Sequence, residues 1–295
     1  MQSSSTMTTL DSSDTSAPGG LPRITDGEFR RIRTMVYDRF GISLADSKRL
    51  LVQGRLSKVV RAQGYASFGE YADELERNGN TEGLLSLVDH ISTNHSYLFR
   101  EADHFDYILS TIVPSLEDRG VKPHEVRIWS AGASEGQEPY TLAMTLHDHF
   151  GGSPFGTAPG ILATDISVTA LERARAGIYP AAVLGTVPQR YRKYLRRLDG
   201  ERVQVVDAVK RSILFKRLNL NQDRFPFKGR FHVVLCRNVM IYFDSRTKQS
   251  LVSRFARHTH DGGYLLIGHS ESLGREVSGY RYLRPTVYQR CPYEC

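Results

Sequence analysis

Through the first third of the chain apolar residues recur every three or four positions, and beyond residue 125 they gather into short continuous runs. The first pattern predicts amphipathic helices, the second the buried strands of a parallel sheet. Phe29, Ile32, Val36 and Phe40 share one helical face, with Asp26 as the expected cap and Gly41 as the stop. The next predicted helix, over 47–63, places Val52, Leu56, Val59 and Val60 on one side and Arg55, Lys58 and Arg61 largely opposite. No acidic residue falls between Ser47 and Gly69, so that second face is basic. Short helices follow over 67–77 and 81–90, and a longer one over 101–118 leads out of the region.

Strands are then predicted at 126–131, 160–165, 231–237 and 263–268, alternating with helices at 138–149, 167–176 and 245–260. This alternation indicates an α/β, doubly wound domain with a parallel sheet. Between Gly177 and Leu220 the rhythm breaks. A basic segment, Gln189-Arg-Tyr-Arg-Lys-Tyr-Leu-Arg-Arg197, precedes the alternating Val203, Val205, Val209, Ile213 and Phe215, which reads as a small inserted antiparallel β-subdomain over about 178–218. The expected organisation is a flexible tail over 1–22, poor in apolar residues, a small all-α domain over 23–92, a connector over 93–125 and the α/β domain over 126–295.

Composition narrows the classes. At 295 residues with 40% hydrophobic content the chain can fill a sizeable core. No run approaches the roughly 18 apolar residues of a membrane span, and the N-terminal stretch lacks the features of a secretion signal or transit peptide. Cys236 falls in a predicted strand and Cys291 and Cys295 at the C-terminus, a spacing that suggests neither a disulfide framework nor a zinc site. A reducing, cytoplasmic setting without metal is expected. The net charge of +7 suits an anionic partner without saying which.

Three predicted strands end in polar side chains. The run Phe231-His-Val-Val-Leu-Cys-Arg-Asn-Val-Met-Ile-Tyr-Phe243 carries a buried-strand pattern straight into Arg237, Asn238 and Tyr242, groups too costly to leave unpaired in a core. The strand at 126–131 opens into Ser130-Ala-Gly-Ala-Ser-Glu-Gly136, small enough for backbone to approach a ligand closely. Its glycine spacing departs from the dinucleotide fingerprint, so a pyrophosphate cradle is poorly supported. Asp165 ends the next strand and reads either as an acceptor for ribose hydroxyls or as the cap of the following helix. Glu138 could accept from an amine or stabilise its helix start. Together these tips suit a ligand with a nucleoside and a positive charge but no phosphate, which describes S-adenosylmethionine.

Four ordered motifs carry a family resemblance: Ile91-Ser-Thr-Asn-His-Ser-Tyr-Leu-Phe-Arg-Glu101, Trp129-Ser-Ala-Gly-Ala-Ser-Glu-Gly-Gln-Glu-Pro-Tyr140, Cys236-Arg-Asn-Val-Met-Ile-Tyr-Phe243, and Gly262-Gly-Tyr-Leu-Leu-Ile-Gly-His-Ser-Glu-Ser272. With them the chain resembles the chemotaxis receptor glutamate methyltransferases from Ile24 to the C-terminus. The resemblance implies a Rossmann-like S-adenosylmethionine-dependent methyltransferase domain. It also implies that Asn94, Ser96 and Arg100 contact the cofactor from the connector. Glu138 and Asp165 would hold its amino-acid and ribose parts, Asn219 and Leu220 would flank the adenine, and Arg237 with Asn238 would complete the pocket. Arg100 and Tyr242 would face the transferred methyl.

Two positions depart from the family pattern. The stretch from Tyr194 to Leu220 is about three residues shorter than in members that anchor on a receptor C-terminal pentapeptide, so tethering of that kind is not expected. Residue 95 is His where a small apolar residue is commoner.

The implied product is a glutamyl methyl ester on the cytoplasmic helical bundle of a chemoreceptor. A glutamate side chain has a pKa of about 4.3 and is already ionised at neutral pH, which accounts for the lack of a persuasive nucleophile and base constellation. His269-Ser-Glu-Ser272 reads as a turn with local hydrogen bonds. Arg55, Lys58 and Arg61 are the candidate face for docking an acidic receptor, with the enzyme expected to act as a monomer and without membrane insertion. A nucleic-acid substrate is disfavoured because base-amine methylation usually needs an acidic or Asn-Pro-Pro-aromatic tip where this chain has Arg237 to Tyr242.

Overall fold

The computed structural model describes residues 23–77, 80–91, 96–277 and 279–291. The expected tail over 1–22 lies outside them. Four helices build the N-terminal domain: α1 (Asp26–Phe40), α2 (Arg49–Ala62), α3 (Phe68–Glu76) and α4 (Thr81–Ile91). Phe29, Ile32, Val36 and Phe40 of α1 and Val52, Leu56, Val59 and Val60 of α2 are buried in one core with α3 and α4. Thr25, not Asp26, caps α1: its hydroxyl accepts the Glu28 N–H at 3.2 Å and the Glu28 carboxylate accepts the Thr25 N–H at 2.8 Å. Asp26 instead pairs with Arg49 at the start of α2. Gly41 ends α1 in the left-handed region, at φ 71°.

The helix expected over 101–118 is interrupted. It runs as α5 (Asp103–Tyr107), a π-helical turn over Ile108–Ile112, and α6 (Val113–Asp118). Pro114 supplies the physical reason, because it lacks the N–H that would bond the Ser110 carbonyl and its ring crowds that carbonyl.

Two sheets follow. The larger contains β1 (Ile128–Ala131), β2 (Ile161–Asp165), β6 (Ile213–Arg217), β7 (Phe231–Cys236), β8 (Thr259–Ile267), β9 (Glu276–Val277), β10 (Tyr280–Arg284) and β11 (Val287–Arg290), in the order β6-β2-β1-β7-β8-β11-β10-β9. Strands β6, β2, β1, β7 and β8 are parallel, and β11, β10 and β9 extend the sheet antiparallel. Helices α7 (Gln137–His149), α8 (Val168–Ala176) and α10 (Ser245–Arg257) connect the parallel strands. A separate three-stranded sheet holds β3 (Ile178–Pro180), β4 (Leu195–Arg197) and β5 (Arg202–Val205), in the order β3-β5-β4, and the short helix α9 (Asp207–Lys210) leads back from it.

The antiparallel insertion therefore exists, but it does not reach residue 218. Ile213 to Arg217 forms β6, which pairs parallel to β2 from Ile161 opposite Ile213 to Asp165 opposite Arg217. Alternating Ile213 and Phe215 looks the same in an insertion hairpin and in an edge strand of the main sheet. Only the partner differs, and β2 is non-local.

Trp129 sits at the centre of the core under the larger sheet. It is fully buried, its indole N–H donates to Thr164 Oγ1 at 2.8 Å, and four phenylalanine rings (225, 227, 231 and 255) surround it with centroids 4.8–5.4 Å away. The helical domain closes over the C-terminal ends of the strands. The Ser43 N–H donates to the Tyr242 carbonyl at 2.8 Å, Tyr37 donates to Asp244 at 2.6 Å, and the Asn219 amide donates to the Arg39 carbonyl at 2.7 Å.

Truncating Trp129 to Ala removes the ring and strands the Thr164 hydroxyl, so a loss of about 3–5 kcal/mol is expected. Chemical denaturation followed by circular dichroism measures it; an unchanged midpoint would contradict this account of the core.

Candidate active site

A cavity of about 300 Å³ opens where β1, β2 and β7 end, with Phe40 and Ile42 of the helical domain in its wall. This is the crevice in which open α/β sheets bind ligands, and its size is in the range of ligand pockets. The turn after β1 forms one wall. The Gly132 and Ala133 N–H groups donate to the Thr164 carbonyl at 2.8 and 2.9 Å. Gly132 has φ 86°, and a Cβ there would lie 2.3 Å from Val239 Cγ2, so only glycine fits. Ser134, also left-handed at φ 50°, donates its N–H to Asp165 Oδ2 at 2.7 Å.

Asp165 accepts a second N–H, from Ser167, at 2.9 Å. It does not cap α8; Ser167 does, accepting the Ala170 N–H at 3.0 Å. Of the two readings open for Asp165, the capping one is thus removed and the carboxylate lines the cavity. Burial pushes its pKa up, and the backbone N–H groups of Ser167, Ser134 and Ile166 oppose that shift.

Glu138 stands in the first turn of α7. One oxygen accepts from the Ser130 hydroxyl at 2.7 Å and the other pairs with Arg237 Nη1 at 3.2 Å. Burial pushes this carboxyl up as well, with Arg237 and Ser130 pulling the other way. Arg237 has a side chain only 2% exposed and is held on all sides. Its Nε and Nη2 donate to Glu101 Oε2 at 3.3 and 3.0 Å, and Nη2 donates to the Arg100 carbonyl at 2.5 Å. Burial raises the Glu101 pKa, but Arg237, Asn238 and the His269 N–H outweigh it and leave that carboxyl below its ordinary value.

The cavity brings together Ser96, Arg100, Glu138, Asp165, Asn219 and Leu220, with Arg237, Asn238 and Tyr242 completing the set. Asn94 and His95 lie outside the described residues. Asn219 commits its side chain to neighbours, donating to the Arg39 carbonyl and accepting the Asn221 N–H at 2.9 Å. Arg55, Lys58 and Arg61 all lie on α2, but Arg55 is not simply solvated. Its guanidinium donates to the Ile91 carbonyl at the end of α4, while Lys58 and Arg61 are exposed.

Two carboxylates were missed as site residues. Glu101 anchors Arg237 and Asn238 Nδ2, the latter at 3.2 Å. Glu271, read only as part of a turn, is 8% exposed and accepts the N–H groups of Gly268, Asn238 and Ile241 at 2.6, 2.9 and 3.2 Å. It thereby fixes Asn238, at φ 58°, and the 3-10 turn Met240–Tyr242. The available signal was an acidic residue three positions beyond an apolar strand, which alone does not distinguish a buried anchor from a solvated turn. Glu101, His104 and His269 also place donor atoms within 4.8 Å of one another. The Glu101 oxygen nearest His104 is the one held by Arg237, so the group is an ion-paired hub rather than a metal seat.

The donor set fits S-adenosylmethionine. Two carboxylates, Glu138 and Asp165, line the cavity, and Ile166, Leu218 and Leu220 give it an apolar wall. The cavity-lining Ser134 hydroxyl is buried without a partner, which leaves a polar atom for a ligand to satisfy. Fold and pocket together define a Rossmann-like S-adenosylmethionine-dependent methyltransferase.

Residues 94–288 match the family model described as CheR methyltransferase, SAM binding domain, and residues 27–92 match that of the CheR methyltransferase all-alpha domain. The chemotaxis protein methyltransferase of Borreliella burgdorferi is 41% identical over 90% of this chain and 95% of its own length. That of Salmonella typhimurium is 38% identical over 90% of each. Among solved structures, magnesium protoporphyrin IX methyltransferase from Synechocystis PCC 6803 with bound SAM aligns at TM-score 0.35 and 15% identity, over 79% of this chain and 93% of that one. The chain belongs to the CheR family of chemotaxis methyltransferases.

His104 provides a test of the packing behind Arg237. It is 2% exposed, bonds Thr286 Oγ1 through Nε2 at 2.7 Å and leaves Nδ1 without a hydrogen bond, 3.7 Å from Glu101 Oε2. Burial, with Arg237 adding to it, lowers its pKa from 6.5 to about 4. The unfolded chain therefore takes up this proton first, so stability is intact above pH 6.5 and declines as pH falls toward 4. At pH 5 the decline from this one group is about 2 kcal/mol. In His104→Gln the drop in unfolding free energy between pH 7 and pH 5 should shrink by that amount; an identical drop in both proteins would disprove the assignment.

Proposed function

We propose that this enzyme transfers a methyl group to glutamate side chains on the cytoplasmic helical bundle of a chemoreceptor, forming glutamyl methyl esters. One observation carries the reading: Arg100 and Tyr242 line the same cavity as the carboxylates Glu138 and Asp165, so acceptor and donor chemistry meet in one cleft. When bound, S-adenosylmethionine supplies an electrophilic methyl group on a sulfonium. Glu138 would hold its amine and Asp165 its ribose hydroxyls, with Asn219 and Leu220 beside the base.

The acceptor carboxylate is ionised at neutral pH, so the protein has no proton to remove. Its work is alignment and exclusion of water, and positioning of this kind is worth about 7–11 kcal/mol. Arg100 is suited to orienting a carboxylate with two parallel bonds. Its Cζ lies 5.9 Å from the centre of the Tyr97 ring and its Nε 3.9 Å from Glu101 Oε1, contacts that limit where the guanidinium can go. A full ion pair with the acceptor would stabilise the ground state too, so orientation rather than tight binding is its task.

Docking of the receptor falls to α2. Exposed Lys58 and Arg61 and half-buried Arg55 project from a helix that also exposes Leu50 at 77% and Leu51 at 40%. Basic side chains beside apolar ones suit an acidic amphipathic helix. The turn between β4 and β5 supports independence from a receptor pentapeptide. It spans only residues 198–201, and Asp199 Oδ1 closes it by accepting the Glu201 and Arg202 N–H groups at 2.9 and 2.7 Å.

Incubation with methyl-labelled S-adenosylmethionine and receptor cytoplasmic fragments, followed by mild alkali, should release volatile methanol. Label that resists alkali would refute ester formation. In the same assay Arg100→Ala should lower kcat/KM by roughly 100-fold or more, and Tyr242→Phe should lower kcat by roughly tenfold while product affinity stays near wild type. Equal losses of turnover and product affinity in the tyrosine variant would overturn that division of labour.

Charge reversal at Lys58 and Arg61, positions that make no core contact, should weaken receptor capture at low salt without altering cofactor affinity. Unchanged capture would remove α2 from the docking surface.

A further inference from the structure

A second arginine is buried without the partners that hold Arg237. Arg254, in the last turn of α10, is 5% exposed, yet it makes no ion pair among the described residues. Its Nη1 donates to the Gln222 carbonyl, its Cζ lies 5.5 Å from the centre of the Phe225 ring, and its Nε is buried without a hydrogen bond. Of the charged groups that act on it, Asp223 favours the cation and Arg257 opposes it. A buried guanidinium answered so thinly costs free energy, and the unmatched Nε asks for a reason.

The reason lies in what Arg254 holds. Leu218, Asn219 and Leu220 line the cavity, and the Gln222 N–H closes a turn on the Asn219 carbonyl at 3.3 Å. The near end of this segment is fixed twice. The Leu218 N–H donates to the Asp165 carbonyl at 2.9 Å, and the Asn219 amide donates to the Arg39 carbonyl at 2.7 Å. At the far end Gln222 Nε2 bonds the Arg224 carbonyl of the same loop at 2.9 Å, and the Phe225 ring packs on Trp129. Among the described residues, the one hydrogen bond that reaches residues 222–225 from outside the loop is that of Arg254.

Between these two ends stands Leu220. The Asn219 side chain is already committed to Arg39 and Asn221. The backbone N–H groups of Asn219 and Leu220, by contrast, make no hydrogen bond among the described residues. They are donors in the stretch of wall assigned to the base. Adenine offers N1 as an acceptor, whereas hypoxanthine carries a hydrogen on N1 and offers a donor there. A backbone N–H set at the right place therefore tells the two bases apart.

We propose that Arg254 is a positioning residue for the cofactor: by holding the Gln222 carbonyl from α10, it fixes the far end of the turn that carries Leu220, and with it the backbone donors that read the adenine. The inference rests on the placement of the base beside Asn219 and Leu220.

Calorimetry with S-adenosylhomocysteine and its inosyl counterpart, S-inosylhomocysteine, tests both points. The wild type should prefer the adenosyl ligand by roughly tenfold or more. Arg254→Met keeps an unbranched side chain in the buried site and removes the donor. It should weaken the adenosyl ligand by roughly tenfold and the inosyl ligand by roughly twofold, so the preference shrinks about fivefold. Arg254→Lys keeps the charge but loses the flat stack and the reach, and should shrink the preference by roughly threefold. A wild-type preference in either variant overturns the proposal. So does an equal weakening of both ligands, or a lowered denaturation midpoint with the preference unchanged, the signature of a merely structural side chain. Should the Met variant fail to fold, the Lys variant decides alone. A wild type that binds both ligands equally would instead refute the placement of the base.

Discussion

Burial of the Arg237 guanidinium at the end of β7 is the constraint around which the site is organised. A charge with 2% side-chain exposure is tolerable only when its donors are matched by anions and carbonyls. Those partners come from distant parts of the chain: Glu101 and the Arg100 carbonyl from the connector turn, and Glu138 from the start of α7. Satisfying one cation therefore draws three segments together around a single cavity. Removing either carboxylate would leave a buried charge short of a partner, which is why the network acts as a unit.

A second carboxylate acts on the opposite side of the same strand tip. Glu271 collects three backbone N–H groups and so holds the segment carrying Asn238 and Tyr242 in a conformation that local propensity would not select. Asn238 sits in the left-handed region, where its short polar side chain is one of the few that are tolerated. The backbone N–H groups of Asn238, Ile241, Tyr242 and Phe243 are all bonded, and a well-held tip at this place suits a reaction that depends on alignment.

The helical domain contributes more than a surface. Phe40 and Ile42 form part of the cavity wall, and Ile42 makes an isolated antiparallel bridge to Phe243, one residue beyond Tyr242. The helix α2 packs in the same core as α1, whose last residue Phe40 reaches the cavity wall.

Period and composition alone determined the helices of the N-terminal domain, the parallel strands β1, β2, β7 and β8, and the polar residues at their tips. Each of these follows from local chemistry: a repeating apolar stripe, a continuous apolar run, or a charged side chain where a strand ends. Tertiary structure decided what local chemistry leaves degenerate. Ile213 and Phe215 alternate in the manner of any half-buried strand, and only the free edge of β2 makes them β6. Glu101 and Glu271 read as ordinary helix-start and turn residues, because a carboxylate becomes an anchor only when the donors it satisfies arrive from elsewhere in the fold. The Pro114 ring breaks the connector helix into a π turn where the apolar pattern alone ran straight through. Sequence specifies which groups must be buried or paired; which partner each one meets is settled by contacts more than a hundred residues apart, such as Glu101 with Arg237.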